Sequence, residues 1–165
     1  MEKLTKYNFK EKLNTALKDD NLKFNYEYIS DNVKDTILLA KTFASNLNKT
    51  DIIALNGELG AGKTVFVSGI AKYFNIEEQI SSPTFTIVNE YCLPSSEKLY
   101  HFDVYRIEDS TDFLDSIGTH YFEDGICIIE WAEIIKDILP KRTINININK
   151  DNSNENIRYF NIWRN

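Results

Sequence analysis

Cysteine, histidine and net positive charge are scarce in this chain, and each shortage closes off a class of function. There are two cysteines and two histidines in 165 residues. Neither His101 nor His120 stands near a cysteine pair, so no zinc-site spacing exists. With no secretory signal in view, Cys92 and Cys127, both in apolar strand-like contexts, read as free buried thiols in a reducing cytosol. Lysine and arginine number 19 against 25 aspartate and glutamate, a net charge of −6, and the pI is about 5.0. A dominant nucleic-acid surface needs clustered cations to neutralise phosphate, and the one basic pair, Lys141-Arg142, reads as a solvated turn. Long apolar runs are missing too. Nothing approaches the roughly 20 residues of a bilayer-spanning helix, and the charged segment 1–20 has no apolar h-region. The expectation is a cytoplasmic protein with no membrane association.

What is present suits one α/β domain. Hydrophobic residues make up 42% and charged residues 27%, ordinary for a globular chain long enough to bury a core. Residues 8–18 place Phe9, Leu13, Ala16 and Leu17 on one helical face, with Asn8 available as N-cap. A strand with alternating aromatics follows at 24–29. Helical spacing of Val33, Ile37, Ala40, Phe43, Ala44 and Leu47 predicts an amphipathic helix over 31–47. Residues 52–55 are a short continuous apolar run, as in a strand buried on both faces of a parallel sheet. A glycine-rich loop comes next, then a helix over 63–74. Strand-like runs at 85–93 and 98–105, joined by Pro94-Ser95-Ser96, predict an antiparallel hairpin. A short helix over 110–116, a buried strand over 126–130 and a helix over 132–138 stopped by Pro140 follow. Isoleucine alternating with polar residues over 143–149, a turn at 150–156 and a strand over 157–163 make a C-terminal hairpin. The fold class is therefore a P-loop NTPase-like α/β domain, a small parallel core sheet extended by antiparallel strands and flanked by helices. The division is a helical N-terminal extension, 1–25, and a domain carrying the glycine-rich loop, 26–165.

The loop Gly57-Glu58-Leu59-Gly60-Ala61-Gly62-Lys63-Thr64 matches G-x-x-x-x-G-K-[ST]. Its glycines let successive N–H groups face inward as an anion nest, and the helix that opens there adds its positive end. Lys63 can reach the β- and γ-phosphates, and the Thr64 hydroxyl can ligate Mg²⁺. The pattern arises by chance in roughly one random chain of this length per hundred or fewer. The preceding strand and following helix set it apart from a glycine-rich turn without a ligand. Mg²⁺ needs a further carboxylate at the end of a neighbouring buried strand. The run Ile126-Cys127-Ile128-Ile129-Glu130 has the form of a Walker-B strand. The more mixed Leu99-Tyr100-His101-Phe102-Asp103 makes Asp103 a water-orienting or outer metal-shell group. Each acid alone could equally be structural. His101 is either a general base or a hydrogen-bonded support for Asp103, whose strand face it shares. His120 reads as surface. Trp131 either stacks near the nucleotide or fills core.

Asn48-Lys49-Thr50-Asp51 and Asp115-Ser116-Ile117-Gly118 spell NKxD and DxxG, motifs of GTPases. The NKxD copy leads into the strand that ends at the phosphate loop. It therefore sits roughly 15 Å away, at about 3.3 Å per residue, at the wrong end of the sheet. It reads as a helix-to-strand turn, and ATP is preferred over GTP.

Four blocks then resemble one family, the bacterial ATPase subunit of tRNA threonylcarbamoyladenosine biosynthesis, TsaE. They are Leu55 through Thr64, Ser82-Pro83-Thr84-Phe85-Thr86, His101-Phe102-Asp103-Val104-Tyr105-Arg106, and Ile129-Glu130-Trp131. Their order and spacing cover about residues 26–140. The resemblance implies ATP on Glu58, Leu59, Gly60, Ala61, Gly62, Lys63 and Thr64, with Mg²⁺ on Thr64 and Glu130. It also implies a switch-like Thr84 near the γ-phosphate, an Asp103 needed for hydrolysis, Trp131 beside the nucleotide, and adenine contacts around Asn32 and Val33. It further implies weak hydrolysis by the chain alone, and a heterodimeric partner made of the threonylcarbamoyl transferase and its paralogue. That pair acts on adenosine 37, so tRNA is met only indirectly. Arg106, the one arginine within a motif, holds a phosphate or lies at the partner surface. Two other readings of the P-loop stand beside this one: a small-molecule kinase, against which the missing arginine-bearing lid counts, and a nucleotide-sensing module with incidental hydrolysis.

Overall fold

Residues 52–55 have no polar side to present because both faces of their strand are covered. In the computed structural model, which describes residues 1–19 and 22–165, they lie in an eight-stranded sheet. Residues 20 and 21, within the expected N-terminal extension, lie outside the described residues. In chain order the elements are β1 (Glu2–Lys3), α1 (Phe9–Leu17), β2 (Phe24–Ser30), α2 (Val33–Ala44), β3 (Ile52–Asn56), α3 (Lys63–Tyr73), β4 (Val88–Cys92), β5 (Lys98–Asp103), α4 (Ser110–Ser116), α5 (Tyr121–Asp124), β6 (Ile126–Glu130), β7 (Ile144–Lys150) and β8 (Arg158–Arg164), with one 3-10 turn at Ala132–Ile135. The spatial order is β1-β2-β8-β7-β3-β6-β5-β4. Strands β7, β3, β6 and β5 are mutually parallel. On one side β8 runs antiparallel to β7 and β2 antiparallel to β8, with β1 parallel to β2; on the other β4 runs antiparallel to β5.

The two faces divide the sequence by alternation. Ile53 and Leu55 of β3, with Ile126 and Ile128 of β6, pack with Phe43, Phe66 and Ile70 of α2 and α3. Ile52, Ala54, Cys127 and Ile129 point the other way, onto Phe113, Phe122 and Ile135. Strand β7 buries Ile144, Ile146 and Ile148 in the first cluster, while Asn145 and Asn147 are only half-buried. One covered face gives alternation and two covered faces give a continuous run, which is the difference between 143–149 and 52–55 in the sequence. The first cluster also takes in Phe9, Leu13, Ala16 and Leu17 of α1, so the N-terminal helix packs into the same core as the helices beside the loop.

Several local expectations are corrected. Asn8 stands at the N-cap position of α1 but its side chain does not cap the helix; its Oδ1 accepts from the Thr5 N–H at 2.6 Å. In α2 the buried stripe runs through Thr36, Leu39, Ala40, Phe43 and Ala44. Val33 is 60% exposed: its spacing to Thr36 and Ala40 puts it on the buried face, but it is the first residue of the helix, directly after the Asn32 cap that accepts from Asp35 N. The strand expected from 85 starts at Val88, since 83–87 close into a turn in which Ile87 N–H donates to Pro83 O at 2.7 Å. Ile87 has φ +66°, a left-handed conformation that a β-branched residue resists. The helix expected over 132–138 is a 3-10 turn of four residues. Cys127 is buried, but Cys92 is exposed on edge strand β4. Arg142 is half-buried and donates to Phe122 O at 2.8 Å and Glu123 at 2.9 Å, so only Lys141 of that pair is a solvated turn residue.

Leu13 is fully buried in the first cluster. Leu13→Ala is expected to lower unfolding free energy by about 2–5 kcal/mol in one cooperative urea transition. A separate early transition for α1 would show that the helix is not integrated with the core.

Candidate functional site

The parallel ladder brings three strand ends to one rim of the sheet. Leu55 pairs with Glu130 and Asp103 pairs with Glu130, so the exit of β3 lies level with both acids. The loop leaving β3 must turn back into α3 over this rim. Gly57, φ +141°, passes so close to β7 that a Cβ would stand 2.5 Å from the Ile148 carbonyl oxygen. No side chain fits there. Helix α3 begins at Lys63, with Phe66 N–H donating to Gly62 O at 3.0 Å.

A cleft of about 520 Å³ opens above this turn, lined by Leu59 to Val65 together with Ser82, Thr84, Asp103, Tyr105, Glu130 and Trp131. Lys63 is its buried cation: Nζ donates to Gly57 O at 2.5 Å and Glu58 O at 3.1 Å, and stands 4.0 Å from the Trp131 ring centroid. Burial pushes its ammonium below the ordinary lysine range, opposed by the charges of Glu130, Glu133 and Asp103. Glu130 is buried, with Oε1 3.5 Å from Thr64 Oγ1 and 2.8 Å from His101 Nε2. Three donors converge on Asp103: the Ser82 hydroxyl, Thr84 Oγ1 at 2.9 Å and Tyr105 N–H at 3.1 Å. The 82–84 segment is thereby tied to the end of β5.

Of the sequence-derived site residues, the structure gathers Leu59, Gly60, Ala61, Gly62, Lys63, Thr64, Thr84, Asp103, Glu130 and Trp131 around this cleft. It does not gather two others. Val33 is exposed at the start of α2 and is absent from the lining. Glu58 turns its carboxylate to Lys150 at 3.4 Å and offers Lys63 only its carbonyl. His101 supports Glu130 and not Asp103, because β5 and β6 are adjacent and its ring reaches across the ladder. Trp131 is half-buried on the cleft wall, its ring 5.1 Å from Tyr105. Tyr105 and Ser82 escaped the residue-by-residue reading, although both lie inside the quoted blocks. Arg106 lies over the Phe85 ring at 4.5 Å and does not line the cleft. Asn48 to Asp51 form the turn before β3, with Asn48 N–H donating to Asp51 Oδ2 at 2.7 Å.

The donor set suits a polyphosphate with a hard divalent cation. The phosphate loop and one buried ammonium line the cleft, and Thr64 and Glu130 could offer a cation oxygen ligands. No cluster of three or more histidine, cysteine or acidic side chains exists among the described residues.

Comparison with known proteins identifies the family. Residues 30–158 match the family model described as Threonylcarbamoyl adenosine biosynthesis protein TsaE. The chain belongs to the TsaE family. Among TsaE relatives named as tRNA threonylcarbamoyladenosine biosynthesis proteins, that of Bacillus subtilis is 39% identical over 127 residues, 75% of this chain and 77% of the relative. That of Treponema pallidum is 38% identical over 122 residues, 73% and 88%. The crystal structure of YdiB from the same Bacillus species superposes with a TM-score of 0.69 at 32% identity, over 87% of this chain and 88% of YdiB. TsaE membership places the chain in tRNA threonylcarbamoyladenosine biosynthesis, and the whole cleft lies within the matched span. No helix among the described residues is long and apolar enough to cross a membrane.

His101 is fully buried and donates to or accepts from Glu130 through Nε2 alone, with Nδ1 unpartnered. Removing its partner leaves a buried carboxylate short of a hydrogen bond. His101→Phe is expected to cost about 1–3 kcal/mol of stability, measured by chemical denaturation; no loss would mean that Glu130 finds another partner.

Proposed function

We propose that the chain is a Mg²⁺-dependent ATPase of the cytoplasm whose hydrolysis supports a threonylcarbamoyl transferase heterodimer acting on adenosine 37 of tRNA. The observation that carries this reading is the convergence of Lys63, Thr64, Asp103 and Glu130 on one cleft above a P-loop. Bound ATP and Mg²⁺ supply a scissile phosphoanhydride and the charge that offsets its oxygens. Lys63 and the loop amides hold the phosphate chain, and Thr64 with Glu130 offers the cation its protein oxygens. Asp103 orients the attacking water; the hydroxyls of Ser82 and Thr84 and the Tyr105 amide fix its carboxylate. Thr84 thereby links the Ser-Pro-Thr-Phe segment to the reacting end of the nucleotide. Trp131 bounds the cleft beside Lys63.

A P-loop kinase needs cationic groups to close over the transferring phosphoryl group. The residues lining this cleft include no arginine, which favours hydrolysis assisted from outside the chain. The net charge of −6 supports action through protein partners, with tRNA reached only through them.

Phosphate release with and without the transferase heterodimer tests the proposal. Strong stimulation is the expected result. Phosphate on a small acceptor would make the chain a kinase, and no hydrolysis in either state would make it a nucleotide sensor. Asp103→Asn is expected to lower stimulated turnover about 100-fold or more with ATP affinity nearly unchanged; intact turnover would remove Asp103 from the mechanism. Thr64→Ala is expected to abolish the Mg²⁺ dependence of ATP binding measured by calorimetry.

A further inference from the structure

The phosphate loop is held from behind by the C-terminal hairpin. Arg158, the first residue of β8, sends Nε to the Ala61 carbonyl oxygen at 2.8 Å, a contact across 97 residues of chain. Its Nη1 donates to the carbonyls of Glu155 at 2.6 Å and Ile157 at 2.8 Å. One guanidinium thus ties the turn between β7 and β8 to the middle of the loop. On the same hairpin, Lys150 pairs with Arg158 in register and reaches Glu58 at 3.4 Å. The Ile148 carbonyl is the backbone against which Gly57 lies.

The Ala61 contact has a directional consequence. No peptide bond among the described residues is cis, and in a planar trans peptide the carbonyl and the following N–H point in opposite directions. Holding the Ala61 oxygen outward, toward Arg158, therefore turns the Gly62 N–H toward the cleft that Gly62 lines. Gly62 has φ +105°, and a glycine beside a peptide plane leaves that plane free to flip at little steric cost. A flipped plane would aim a carbonyl oxygen at the phosphate position in place of a donor.

We propose that Arg158 is a positioning residue of the nucleotide site: its guanidinium locks the Ala61–Gly62 peptide so that the Gly62 amide donates to bound polyphosphate. The ligand class rests on the ATP reading above; the peptide orientation does not. The lock acts on the phosphate chain and leaves recognition of the nucleoside alone.

The test uses the full chain and Arg158→Met. Without ligand, the Ala61 carbonyl ¹³C and Gly62 amide ¹⁵N resonances are expected to move and amide exchange at Gly62 to rise, while thermal unfolding stays cooperative. Affinity for ATP and ADP is expected to fall about tenfold, the order of one charge-assisted hydrogen bond, with adenosine affinity unchanged. Lys150→Met removes a charge of the same sign from the same hairpin without touching Ala61, and is expected to lower ATP affinity less than Arg158→Met does. Equal losses from the two would assign the effect to charge and overturn the proposal, as would unmoved Ala61 and Gly62 resonances. Should Arg158→Met fail to fold, Arg158→Lys replaces it. A lysine ammonium on its flexible stem does not reproduce the fixed Nε and Nη1 geometry that spans Ala61 and the two turn carbonyls, so the same resonances are expected to move, and wild-type behaviour in every readout would overturn the lock. A wild-type chain that binds no ATP, with resonances that still respond to Arg158→Met, would sink the ATPase reading and leave the lock standing.

Discussion

The parallel register of β3, β6 and β5 is the constraint from which the site follows. Because Leu55, Glu130 and Asp103 occupy one level of the ladder, the loop leaving β3 and the two carboxylates share one rim. Parallel strands of an open α/β sheet place ligands outside their carboxyl ends for this reason. The register is in turn fixed by burial. A slip of one residue would exchange Ile53 and Leu55 with Ile52 and Ala54 between two different helical layers, and both layers are shaped to what they receive.

The same register explains why acids sit buried beside a lysine. Glu130 is balanced by His101 from the adjacent strand, by the Thr64 hydroxyl and by the field of Lys63. Asp103 is balanced by two hydroxyls and an amide from segments that flank β5. Two carboxylates with different partners serve different ends: one faces the first turn of α3, the other faces the segment around Thr84. Proximity of unlike environments, and not residue type, separates their proposed roles.

Much of this was legible in the sequence where the signal is local. The loop 57–64, the doubly buried runs at 52–55 and 126–130, and the isoleucine alternation of 143–149 each carry a pattern set by the element's own surroundings. What was not legible depended on tertiary partners. Val33 has the spacing of the buried face of α2 yet stands exposed, because it is the helix's first residue and helical spacing does not show where the covering core ends. His101 reads from the sequence as a general base or a support for Asp103, and its pairing with Glu130 shows only once β5 is seen beside β6. Cys92 looked buried because an edge strand and an inner strand read alike over five residues. Arg158 carries no motif at all; only the fold brings it to Ala61.

Ile87 closes the turn that begins at Pro83 and does so in a left-handed conformation. A β-branched residue held there costs on the order of 1–3 kcal/mol, set against the hydrogen bonds that Ile87 makes to Pro83 and Asp103. Converted to populations, that range is a factor of about 5–150 between two arrangements of a segment. The segment carrying Thr84 is thus not in its own lowest local state, and its conformation answers to whatever holds its two ends. Thr84, hydrogen-bonded to Asp103, and the exposed Phe85 stand side by side in this one strained turn, so the strain lies between the cleft and the outer surface.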